Sequence, residues 1–164
     1  MDPFESTISN DPVLELRDYL DEDHFDSYPN AIPDKVLAKW GRLFDIVLPS
    51  SHRTCCFTRG YSQLVERAGS VLQMNESLDT TETFDKFLQA QSENDEQAIE
   101  ILRPLGLRYF SATELLRIFN FTPLHTESTF AWPVGVSTKS KYRLIGNSVN
   151  VKVVQELITY LFKQ

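Results

Sequence analysis

The stretch Lys141-Tyr142-Arg143-Leu144-Ile145-Gly146-Asn147-Ser148-Val149-Asn150-Val151 decides how this 164-residue chain is read. After it, Asn150, Val153, Val154, Leu157, Ile158, Leu161 and Phe162 recur on one helical face. The periodicity predicts a last helix opening at Asn147 or Ser148. Its face is too apolar for solvent, so the helix must dock on something large, and the chain offers no long parallel sheet to receive it. Gly146-Asn147-Ser148 at a helix start would present free backbone amides and two short polar side chains. Such a start suits a carboxylate or a ribose hydroxyl. Plain capping by Asn147 or Ser148 fits the same residues.

A second segment stands out: Arg53-Thr54-Cys55-Cys56-Phe57-Thr58-Arg59-Gly60-Tyr61, followed by Ala68-Gly69-Ser70-Val71-Leu72. Thr54–Thr58 has strand composition and Gly60 signals a turn. Upstream, Asp34 can cap a helix over residues 34–47, with Val36, Leu37, Trp40, Leu43, Phe44 and Val47 as its core stripe. A short helix is expected around Phe84, Phe87 and Leu88. Ser92 and Asp95 resemble a capping box opening a helix to about Leu102, ended by Pro104 and Gly106. Ser111-Ala112-Thr113-Glu114 is a sharper capping box, opening a helix that buries Leu115, Leu116, Ile118 and Phe119. Residues 120–140 read as a loop. Before residue 35, Val13, Leu14, Leu16, Tyr19 and Leu20 allow a short helix, while Asp21-Glu22-Asp23-His24 and Tyr28-Pro29-Asn30 are loop-like.

With 41% apolar and 12% aromatic residues the chain can bury a core. The net charge of −7 argues against a nucleic-acid binder until its distribution is read. Residues 1–35 carry −8, 36–75 carry +3, 76–100 carry −7 and 101–164 carry +5. A fold that brings the two basic blocks together would make a weak positive face; ordinary solvated surface is the other reading. The adjacent Cys55 and Cys56 do not form a disulfide framework, and no signal peptide or membrane span is expected, so cytosol or nucleus is the expected compartment. No Gly-rich phosphate cradle, HExxH, CxxC or GxSxG occurs, and no metal site is expected.

The Lys141–Val151 stretch resembles the last motif of the cytosine-C5 methyltransferases. The Cys56-Phe57-Thr58 triplet resembles the signature of one branch, the tRNA-Asp methyltransferases of the DNA-methyltransferase-homologue-2 type, where it lies in the target recognition domain. Phe44-Asp45-Ile46-Val47 with Pro49, Gly69–Gln73, and Leu107–Ser111 with Glu114 agree, in the family's order, from about Leu14 to Lys163. The chain departs at Arg67-Ala68, where the family usually has Gly-Thr, at Ala112, where it has Pro, and at Asn120, where it has Gly.

The resemblance implies an α/β fold: the C-terminal portion of a Rossmann-like, S-adenosylmethionine-dependent methyltransferase. Residues 1–35 would be an acidic leading segment and 36–130 a mostly helical target recognition region. Residues 131–164 would return to the catalytic domain. The implied function is substrate recognition in cytosine-C5 methylation of the tRNA-Asp anticodon loop. Asn147 and Ser148 match the motif that touches S-adenosylmethionine. Cys56, Phe57, Thr58, Arg59 and Tyr61 match the substrate-side signature, and Lys141 and Arg143 lie in the second basic block. In the family mechanism a thiolate adds to cytosine C6, a glutamate supports N3, and C5 takes the methyl group, after the base has left its stack. The Pro-Pro-Cys nucleophile, Glu-Asn-Val acid, cofactor loop and Arg-x-Arg element do not occur here. No catalytic residue is therefore assigned, and the chain alone is expected to be an inactive fragment or short form that works with a catalytic half. A non-catalytic RNA-binding or interaction module, or a DNA-methylating relative, is the alternative.

Overall fold

Ser70–Gln73 form strand β2, and every residue of it is buried. It pairs in parallel with β1, Asp45–Val47, and antiparallel with β3, Leu107–Arg108, in a three-stranded sheet. These elements belong to a computed structural model that describes residues 13–21, 30–124 and 130–163. The loops expected at Glu22–His24 and Tyr28-Pro29 fall outside the described residues.

Successive side chains of a strand point to opposite faces, so β2 feeds two cores. Leu72 joins Leu16, Val47, Phe57, Tyr61, Phe110, Leu115, Tyr142 and Ile145. Val71 joins Leu37, Phe44, Phe84, Phe87, Leu102, Leu105 and Leu107. Leu16 of the acidic leading segment and Tyr142 of the last segment thus meet in one cluster.

The helix expected over 34–47 is shorter. Helix α1, Asp34–Trp40, gives way to a 3-10 turn at Gly41–Leu43 and then to β1. Phe44 and Val47 carry apolar spacing that a helix would share, but Phe44 closes the 3-10 turn and the backbone of Asp45–Val47 pairs with β2. A side chain at Gly41 would strike the Phe84 ring at 2.6 Å, so this turn packs on the next helix. That helix, α2, Thr80–Ser92, is longer than expected; Asp79 caps it, accepting the Glu82 amide at 2.7 Å.

The helix expected from Ser92 to Leu102 does not form. Ser92 ends α2, Asn94 turns left-handed (φ 59°), and 3-10 turns follow at Ala98–Ile101 and Arg103–Leu105. Asp95 caps only a local turn, accepting the Gln97 amide at 2.8 Å.

Helix α3, Ala112–Ile118, opens with the expected capping box: Ser111 Oγ accepts the Glu114 amide at 3.0 Å and Glu114 Oε2 the Ser111 amide at 2.6 Å. The same carboxylate, fully buried, takes two hydrogen bonds from Arg108, at 2.8 and 2.9 Å. Two helices follow, α4, Thr138–Gly146, and α5, Val151–Phe162. Helix α5 is anchored at its start, where the Val151 amide donates to the Phe119 carbonyl and Asn150 Nδ2 to that of Ile118, each at 3.0 Å. None of its residues is buried: Leu157 is 58% exposed and Phe162 85%.

Candidate nucleic-acid interface

The Thr54–Thr58 segment joins no strand. Its ties to the sheet are different. The Cys55 amide donates to Ser70 Oγ at 2.7 Å and the Thr58 amide to the Ala68 carbonyl at 3.0 Å. Ser70 Oγ in turn donates to Asp45 Oδ2 at 2.5 Å. Burial opposes ionisation of Asp45, but hydrogen bonds from Ser70 and Cys55, helped by Arg53, hold its carboxyl below the usual range. Cys55 is half-buried and Cys56 exposed, both as free thiols. Burial, reinforced by the Asp45 carboxylate, pushes the Cys55 thiol up, which disfavours the thiolate a nucleophile needs.

Phe57 and Tyr61, matched to the substrate-side signature, sit inside the fold. Both lie in the core, 4% and 2% exposed, with ring centroids 5.1 Å apart and nearly perpendicular. Neither ring can stack on a base. The Tyr61 hydroxyl donates to the Ser70 carbonyl at 2.9 Å and accepts the Phe110 amide at 2.8 Å. Tyr142 grips the same residue from α4, donating to the Phe110 carbonyl at 2.7 Å. A polar handle on a buried ring ordinarily finds such partners. The aromatic signature therefore holds the loop, while Cys56, Thr58 and Arg59 form its outer surface; Arg59 is exposed.

Gly146-Asn147-Ser148 also differs from expectation. It closes α4 rather than opening α5. The Asn147 amide donates to the Arg143 carbonyl at 3.2 Å, the Ser148 amide to that of Ile145 at 2.9 Å, and Ser148 Oγ to the same oxygen at 2.5 Å. The amides are spent, so no anion cradle exists there; Asn150 caps α5 instead, accepting the Val153 amide at 3.1 Å. The exposed Asn147 side chain and the lone pairs of Ser148 Oγ remain for a ligand. Ser148 edges a cleft of about 220 Å³ lined mainly by Leu116, Phe121, Phe130, Trp132 and Leu144. That wall can take an apolar or aromatic group, with Ser148 at its polar rim.

The two segments singled out in the sequence meet at Gly146. A side chain there would overlap the Thr58 carbonyl and the Arg59 amide, so the end of α4 lies directly on that peptide. The basic residues of α4 are exposed at Lys139 and Arg143 and half-buried at Lys141, whose Nζ sits 5.6 Å from the centre of the Trp132 ring. Trp132, in contact with the Phe130 ring at 4.9 Å, was not singled out in the sequence; its place beside a basic block was the available signal. Among the described residues, no group of His, Cys, Asp and Glu could hold a metal ion, and no helix is long and apolar enough to cross a membrane.

A small sheet with helices on both faces and a loop locked against the helix that ends in Gly-Asn-Ser matches one class of enzyme. Residues 7–163 fit the family model of C-5 cytosine-specific DNA methylases, and the chain belongs to that family. Within it, the chain is 43% identical over 152 residues to the tRNA (cytosine(38)-C(5))-methyltransferase of Schizosaccharomyces pombe, covering 92% of this chain and 40% of that protein. It is 36% identical over 151 residues to the human enzyme of the same name, covering 92% and 36%. A Dictyostelium discoideum DNA (cytosine-5)-methyltransferase is 33% identical over 145 residues, covering 88% and 33%. The crystal structure of the S. pombe Dnmt2 methyltransferase superposes with a TM-score of 0.75 at 40% identity, over 95% of this chain and 44% of that one. The Entamoeba histolytica methyltransferase EhMeth superposes at 0.70 with 29% identity, over 99% and 45%. The chain thus spans about two fifths of the length of these relatives.

Proposed function

We propose that this chain is the substrate-recognition part of a tRNA (cytosine-C5) methyltransferase, presenting one face to the anticodon loop of tRNA-Asp. The observation that carries the reading is the seat of Gly146 on the Thr58–Arg59 peptide, which fuses the Cys-Phe-Thr loop and the basic helix α4 into one surface. Arg59, Lys141 and Arg143 supply cations for the phosphates of a single-stranded loop, and such contacts are salt-sensitive. Cys56 and Thr58 offer short polar groups to the edge of a splayed base, and Trp132 rather than Tyr61 is the ring placed to meet one.

S-adenosylmethionine supplies the methyl group in this reaction. Asn147 and Ser148 are the residues of this chain suited to border it, through side chains only. Neither Cys55 nor Cys56 follows Pro-Pro and no Glu-Asn-Val occurs, so the nucleophile and the acid of the family mechanism are assigned to residues outside this sequence. The half-buried and exposed free thiols suit a reducing compartment, cytosol or nucleus.

The test is a titration of the purified chain with tRNA-Asp transcript and with a DNA duplex of equal length at low salt, alongside incubation with labelled S-adenosylmethionine. Preferential binding of the tRNA without methyl transfer is expected. Equal or stronger binding of DNA would favour the DNA-methylating reading. Turnover that survives replacement of both cysteines would overturn the division of labour.

A further inference from the structure

The Cys55–Thr58 segment lies on the sheet without belonging to it. Two of its backbone amides donate hydrogen bonds to the body of the fold. One is the Thr58 amide on the Ala68 carbonyl; the other is the Cys55 amide on Ser70 Oγ. The second tie depends on a side chain. Ser70 is fully buried on β2 and sits opposite Asp45 of β1 in the parallel register. Its hydroxyl proton goes to Asp45 Oδ2, at 2.5 Å, which fixes the rotor and leaves an oxygen lone pair for the Cys55 amide at 2.7 Å. Asp45 is in turn 3.6 Å from Arg53, two residues before Cys55. A carboxylate in a strand edge next to an apolar run, and a serine buried without exposure, are both costly placements unless they hold something. What they hold is the outer segment of the proposed RNA face.

We propose that Asp45 and Ser70 are positioning residues that set the Cys55–Thr58 segment against the sheet through an Asp45–Ser70–Cys55 hydrogen-bond relay. They touch no substrate themselves. They fix where Cys56 projects and the line along which Thr58 and Arg59 reach the end of α4. This assignment rests on the proposed RNA-recognition role of that face.

The experiment uses the full chain and reads amide hydrogen exchange at Cys55 and Thr58, with tRNA-Asp affinity measured in parallel, for Ser70→Ala, Asp45→Ala and Asp45→Asn. Thr58 is the internal control, because its acceptor is a backbone carbonyl that none of these changes removes. In Ser70→Ala, exchange at Cys55 is expected to accelerate about tenfold, the worth of one hydrogen bond, while Thr58 stays protected. The tRNA affinity is expected to fall several-fold with it. Asp45→Ala follows in the same direction, and Asp45→Asn, which keeps an acceptor for Ser70, is expected to behave like the parent. Unchanged protection of Cys55 in both alanine variants would overturn the relay. Freed Cys55 with unchanged tRNA affinity would overturn the positioning role. If the parent itself binds no tRNA, the recognition reading fails, and the positioning role falls with it, whereas the exchange data still decide the relay.

Discussion

Arg67 and Asn120 hold left-handed backbones, with φ of 55° and 59°. Both are positions where the resemblance leads one to expect glycine, and a left-handed backbone is the conformation that favours it. A side chain in that conformation costs roughly 1–2 kcal/mol, less for asparagine, whose short amide tolerates it. Arg67 is exposed, so replacing it removes little contact. Arg67→Gly is therefore expected to raise stability by about 0.5–1 kcal/mol after the added entropy of the unfolded chain, with a smaller gain for Asn120→Gly. Denaturant midpoints at constant slope check this; a loss at Arg67 would show that its side chain holds a contact of value.

The phenols give a second residue-scale expectation. Burial raises Tyr61 well above the usual value of 10.0, and raises Tyr142 to about 12. A raised folded value means that the neutral form is favoured in the native state. Its contribution is complete below pH 10 and is lost as pH climbs from about 10 to 12. Alkaline unfolding should begin in that window, and Tyr142→Phe should be less stable at neutral pH yet lose less stability across it. Parallel curves for parent and variant would contradict the assignment. Tyr61 also marks where sequence reading stops. A tyrosine beside arginines reads alike whether it stacks on a base or packs in a core. What decides is Phe110, 49 residues away, whose amide it accepts.

At the scale of elements, features set by near neighbours were legible and those set by distant partners were not. The Ser111–Glu114 box needs only a three-residue spacing and forms as expected. The helix expected to reach Val47 fails because β1 finds its partner 25 residues on. Thr54–Thr58 fails as a strand because its two ties, to the Ser70 hydroxyl and the Ala68 carbonyl, do not make a ladder. Helix α4 was missed: Gly146, a poor helix former, looked like a boundary, and Ser137, which caps the helix by accepting the Ser140 amide at 3.2 Å, looked like loop. Gly146 tolerates no side chain, because the Thr58–Arg59 peptide occupies the place. Gly146→Ala should cost about 1–3 kcal/mol by overpacking against backbone that cannot rotate away. For a chain of this size, that lowers the melting temperature by about 2–4 °C per kcal/mol. A melt unchanged by the substitution would mean that α4 does not sit on the loop.

At the scale of the molecule, α5 dominates behaviour in solution. Val153, Val154, Leu157, Ile158, Leu161 and Phe162 are all exposed, as the apolar face expected from the sequence would be without a partner. Each would contribute about 1.5–3 kcal/mol if covered, and together they make a patch large enough to associate. The isolated chain is expected to self-associate and to bind an apolar dye, and removing residues 151–164 should reduce both. Monodisperse monomers without dye binding would show that α5 is covered within the chain.

The central claim, that the Cys-Phe-Thr loop and α4 form one RNA face, is tested most directly by the salt dependence of tRNA-Asp binding in the parent and in Arg59→Ala/Arg143→Ala. Arg59 belongs to the loop and Arg143 to the helix, and both are exposed, so the fold should survive. Binding of the parent is expected to be weak and to fade with salt, opposed by the acidic blocks. In the variant, the slope of log affinity against log salt should be shallower by about 1.4, two phosphate contacts at roughly 0.7 each for single-stranded RNA. Equal affinity and equal slope for parent and variant at every salt concentration would contradict the claim and leave this surface a structural one.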